Sequence, residues 1–64
     1  MNLLEYLKHC QTEYQPVLLA VGGRPVRIVA GQILAIDQTA RQALLTSGAT
    51  IDFDQVVGFP QPGL

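Results

Sequence analysis

Pro16 divides this chain into two regimes of hydrophobic period, and no other residue constrains the fold as much. Before it, Leu3, Leu7, Cys10 and Tyr14 recur at helical spacing, and Leu4 and Tyr6 widen the stripe. Glu5, Lys8, His9 and Glu13 lie mainly off that stripe. Asn2 is placed to cap the segment, with Glu5 three positions on approximating a capping box. The spacing predicts a helix from Asn2 to Tyr14. Proline disfavours helical geometry at the residue before it, so the helix must stop by Gln15.

After Pro16 the period of a helix is gone. Val17 to Val21 is an apolar run of strand length, closed by Gly22-Gly23, a pair that tolerates the positive φ of tight turns. Pro25 stands at the mouth of the next strand, where its missing N–H does least harm. The segment Val26 to Ile36 is long for one strand, and Gly31 interrupts it where a bulge or sharp bend is expected. Asp37 to Ala40 reads as an Asx-type turn, Gln42 to Thr46 as a strand and Ser47-Gly48 as a hairpin turn. Ala49 to Phe53 is a further strand, in which Ile51 and Phe53 alternate with Thr50 and Asp52. Asp54 is expected to cap a single turn before a last strand, Val57 to Phe59. One helix followed by five short strands predicts a mainly β fold, a small five-stranded antiparallel barrel of Sm-like or SH3-like type. The helix and barrel form one domain over residues 1–59, and the proline-rich residues 60–64 form a flexible tail.

A core of 64 residues is too small to be strongly stable without help. Disulfides are excluded because Cys10 is the only cysteine, and one Cys with one His cannot complete a structural zinc site. The chain is 48% hydrophobic and 14% charged, so part of its surface is expected to be covered by another copy or another protein. A net charge of −1 argues against a strongly electrostatic nucleic-acid binder. There is neither an apolar run of membrane-spanning length nor a signal-like leader, so a cytoplasmic protein is expected, with its thiol free.

Two stretches carry a family resemblance. Gly31-Gln32-Ile33-Leu34-Ala35-Ile36-Asp37 matches the Gly-x-apolar-x-x-apolar-Asp pattern of Sm-like barrels, and Ile51-Asp52-Phe53-Asp54-Gln55-Val56-Val57 follows it after Ala43-Leu44-Leu45. With Gly23 in the first hairpin, residues 17–59 resemble the YolD-like family of small bacterial proteins. A second, more distant likeness is to the Rof-type inhibitor of the Rho terminator, which also sets an Sm-like barrel after a helix. The first resemblance implies a non-enzymatic accessory protein in a DNA-damage setting. The uncharged strands Val17 to Val21 and Gln42 to Thr46 leave edges unguarded, and Sm-like barrels commonly pair such edges between subunits, so a homo-oligomer, a dimer first of all, is expected through an edge strand or the strand–helix groove. RNA-binding Sm proteins carry Asn four positions past the first Asp and an Arg-Gly in the second motif. Here Arg41 stands at the first place and no Arg-Gly follows Ile51, so uridine readout of the Sm kind does not carry over.

No residue pattern points to catalysis. Cys10 lies on the apolar stripe without a cationic neighbour and is expected as a buried small hydrophobe. Glu5, His9 and Glu13 form a ladder one helical turn apart, expected as a solvated face rather than a metal site. Asp52 and Asp54 are expected as an outward residue and a turn cap, not as an acid–base pair. No cofactor or metal is implied. The remaining candidates are Arg24, Arg27 and Arg41, whose guanidinium forks suit carboxylate or phosphate, together with Tyr6 as a partner-binding aromatic. The expected function is a protein-interaction or adaptor module that binds itself or a larger protein. The alternative is a weak single-stranded RNA binder, which would need a basic groove and stacking aromatics.

Overall fold

The structure is a computed structural model describing residues 1–60. It is mainly β with one N-terminal helix, α1 (Leu3–Thr12), followed by six strands in two three-stranded antiparallel sheets. The strands are β1 (Val17–Val21), β2 (Arg27–Gly31), β3 (Ile33–Asp37), β4 (Gln42–Leu45), β5 (Thr50–Asp52) and β6 (Val56–Gly58). One sheet has the order β2-β1-β6 and the other β3-β4-β5.

The five-stranded closed barrel is therefore corrected to an open pair of sheets. The segment expected as one long strand is two, and they belong to different sheets. The switch takes place at Gly31-Gln32. Gly31 has φ +157°, a backbone conformation that side chains other than hydrogen rarely allow. The Gln32 carbonyl accepts from Thr46 N–H at 2.9 Å, and its side-chain amide donates to the Tyr14 carbonyl at 3.2 Å. Among the described residues no ladder closes the sheets on each other, so β2, β6, β3 and β5 are edge strands there.

Asn2 caps α1 as expected, its side chain accepting from Glu5 N–H at 2.9 Å. The helix nevertheless stops four residues before Pro16. Tyr14 takes a left-handed φ of 56°, while Gln15 N–H donates to the Cys10 carbonyl and Tyr14 N–H to the Gln11 carbonyl. These two bonds make a Schellman termination with tyrosine in the place glycine usually takes. Leaving the helical path swings Tyr14 off the apolar stripe, and it is 85% exposed rather than packed.

A single apolar cluster joins the layers. Tyr6, Leu7 and Cys10 from α1 meet Val17, Leu19 and Val21 of β1, Ala43 and Leu45 of β4, Ile51 of β5 and Phe53. The alternation of β1 is clear: Val17, Leu19 and Val21 are buried, whereas Leu18 is exposed and Ala20 half-buried. After β5, a 3-10 turn over Phe53–Gln55 leads into β6. Its cap is Asp52, whose carboxylate accepts from Asp54 N–H at 3.0 Å, so the capping role expected of Asp54 belongs to Asp52. Asp37 closes its turn as expected, accepting from Ala40 N–H at 2.9 Å. The tail expected over residues 60–64 lies, apart from Pro60, outside the described residues.

Candidate interaction surface

Tyr6, expected as a partner-binding aromatic, is turned inward with 5% exposure. Its hydroxyl accepts from Leu18 N–H at 3.1 Å, and its ring stacks on Phe59 with centroids 5.2 Å apart. Burial pushes the phenol above its ordinary pKa, the Leu18 N–H bond opposes that rise, and the Cys10 thiol adds to it. Helical spacing alone could have placed it here, because Tyr6 lies beside Leu7 and one turn before Cys10. It is a structural residue of the helix–sheet contact.

The three arginines stand on separate elements. Arg24 is exposed in the loop between β1 and β2. Arg41, at a left-handed φ of 57°, closes the β3–β4 turn and donates to Asp54 at 2.9 Å, with its guanidinium 5.9 Å from the Phe53 ring centroid. Both partners of that ion pair are well exposed, so it adds little stability. Arg27 pairs with Val21 across the β1–β2 ladder and borders a cavity of about 290 Å³, with Val29, Ile51, Asp52 and Gln55 also in its wall. Of the three arginines, Arg41 is the one that lies near an aromatic ring, that of Phe53. Phe53 is buried and Phe59 stacks on Tyr6, leaving Tyr14 as the well-exposed aromatic among the described residues.

Cys10 is buried and free. Asp54 answers Arg41 and Asp52 caps the 3-10 turn, so the two carboxylates are engaged separately. Among the described residues, no group of three or more His, Cys, Asp or Glu side chains is placed to hold a metal ion. No helix there is long and apolar enough to cross a membrane.

The surface that stands out is apolar. The outward positions of β1 and β2 are Leu18, Ala20, Ile28 and Ala30, with Leu18 opposite Ala30 and Ala20 opposite Ile28. Leu18 is 48% exposed and Ile28 67% exposed. Val26, two positions before Ile28, is exposed too, as is Val57, which sits at the register shift where β6 meets β1. The helix does not cover this face, because α1 packs against β3 of the other sheet. The uncharged run Val17 to Val21 is the sequence signal for it: one pleat face fills the core and the other is left over.

Against this geometry, no protein-family model matches the chain, and no curated protein or solved structure matches it.

Proposed function

We propose that this protein is a non-catalytic interaction module, an adaptor that works by docking the outer face of β2-β1-β6 on a protein surface. The observation that carries the reading is the uncovered apolar face around Leu18 and Ile28 on a domain this small. Leu18, Val26, Ile28 and Val57 are each about half exposed or more, and large exposed apolar patches on small monomers are often functional. Their exposure to water is unfavourable and is relieved by association. The YolD-like likeness points to the same class, a small accessory protein without chemistry of its own. Its Gly31-to-Asp37 motif coincides with the junction between the sheets and with β3, which gives it a structural use here. A DNA-damage role belongs to that likeness and is part of the proposal.

No observation favours the RNA-binding alternative. Arg41 is engaged by Asp54, and the rings of Tyr6 and Phe53 are buried. In-cell photo-crosslinking from position 28, with position 47 in the β4–β5 turn as control, tests the docking reading. A discrete adduct from position 28 alone supports it. Equal diffuse labelling from both positions, or none from either, refutes it.

A further inference from the structure

We infer that the occupant of the β2-β1-β6 face is a second copy of this chain, packed sheet on sheet about a two-fold axis. This inference rests on the docking reading above and names its partner. On the outer face, Leu18 and Ile28 occupy one diagonal of a four-residue square, and Ala20 and Ala30 occupy the other. A two-fold axis in the interface, running along or across the strands, exchanges the two diagonals. Each large side chain of one copy then faces an alanine of its partner, and Gly58 beside Ala20 extends the small side of the pattern. Sheets that stack face to face keep their strands within about 30° of each other, close enough to preserve this matching. A crossing near 90° would instead set Leu18 and Ile28 against each other. The face is thus complementary to itself, as an isologous contact requires.

Charge agrees with this choice. The four outward positions carry no charge, so two copies bring no like-charge pair together there and desolvate no ion. A face of so few side chains falls below the ~1,200 Å² of standard stable interfaces, so the dimer is expected to be weak and reversible. Strand edges are not used, so the contact differs from the edge pairing implied by the Sm-like resemblance.

Sedimentation equilibrium of the full chain between about 5 and 500 µM tests the inference, because mass action populates a dimer in that window. The wild type is expected to move from monomer to dimer. Ile28→Lys is expected to weaken the dimer by at least ~10-fold, since it sets a charge against an apolar partner. Leu34→Lys, at an exposed apolar position on the other sheet, is expected to leave it unchanged. Mixing Ile28→Lys with Ala20→Glu or with Ala30→Glu is expected to restore a heterodimer, and circular dichroism establishes that each variant is folded. The residue that faces Ile28 is Ala20 when the two-fold axis runs along the strands and Ala30 when it runs across them, so the Glu variant that restores the heterodimer identifies the axis, and rescue by neither folded variant overturns the inference. A wild type that stays monomeric at the highest concentration overturns the inference, as does a dimer lost equally on Leu34→Lys. In either case a position-28 crosslink to a different protein leaves the docking reading standing.

Discussion

Gly31→Ala and Gly31→Val test the sheet switch directly. A glycine in an ordinary strand is a weakness, and alanine in its place gains about 0.5–1 kcal/mol. At Gly31 the sign reverses for two reasons. Its φ of +157° is a region that L-residues occupy only under strain, costing of order 1–3 kcal/mol. A Cβ placed there also meets Leu45 Cδ1 at 3.3 Å, tighter than ordinary packing. Leu45 is 1% exposed and sits in the common cluster, so it has little room to retreat. Valine adds two methyl groups to that contact, and overpacking of this kind costs a further ~1–3 kcal/mol. Alanine should therefore destabilise by about 1–3 kcal/mol and valine by about 2–6 kcal/mol. A core of this size supplies only ~3–5 kcal/mol, so the valine variant should lose from about half to all of its stability. Urea denaturation followed by circular dichroism reads both. An alanine variant as stable as wild type, or more so, would show that the junction tolerates a side chain and that the bend does not depend on glycine.

Three further perturbations follow from the local chemistry. Tyr14→Gly should stabilise by about 0.5–1 kcal/mol in the same denaturation assay, because an exposed side chain is exchanged for the residue that suits a left-handed helix terminus. Tyr6→Phe should cost about 1 kcal/mol by leaving Leu18 N–H without its acceptor. It should also remove a pH dependence: the folded-state pKa of Tyr6 lies above the ordinary 10.0, so its contribution is complete below pH 10.0 and is lost as pH rises from there through the folded value. A wild-type melting temperature that does not fall faster than that of Tyr6→Phe above pH 10.0 would contradict this. Asp52→Ala should cost about 0.5–1 kcal/mol through loss of the cap, in any salt, whereas Asp54→Ala should cost less, with an effect that disappears near 1 M salt. Thermal melts of the two variants at low and high salt separate a cap from a screened ion pair.

What could be read from the residues depended on whether local geometry decided the outcome. The helix, its Asn2 cap, the β1 strand and the turns at Asp37 and Ser47-Gly48 follow from side chains bonding to nearby backbone or from a plain hydrophobic period. The helix end did not follow from Pro16, because the chain adopts a left-handed residue two positions earlier, and tyrosine carries no hint of that. Asp52 and Asp54 are equally good caps in a one-dimensional reading. The tie is broken by Arg41, thirteen residues away, which engages Asp54. Closure into a barrel was the least legible feature, since it depends on whether distant edges meet. Gly31 signals a bend without stating which sheet receives the chain afterwards. Of the candidate surface residues, Tyr6 was misplaced because a tyrosine on a helical stripe has an apolar body and a polar tip, and here the tip finds Leu18 N–H inside the fold.

The apolar run of β1 connects the stability of this domain with its proposed use. With a single cysteine and, among the described residues, no side-chain group placed to hold a metal ion, the fold depends on one cluster shared by a ten-residue helix and two sheets. β1 lies at the centre of its sheet and must send Val17, Leu19 and Val21 into that cluster, which requires only alternate apolar residues. Leu18 and Ile28 lie outside that cluster. Lysine or threonine at either place would keep the strands paired and raise solubility, so burial inside the monomer does not account for their apolar character. Small residues at Ala20, Ala30 and Gly58 do not account for it either, because a surface exposed only to water gains nothing from alternating large and small apolar groups. A surface that receives another surface does gain, since knobs need holes to exclude water and recover packing contacts. The monomer's own core explains the inner face alone, and the proposed contact across the outer face would account for the pattern there.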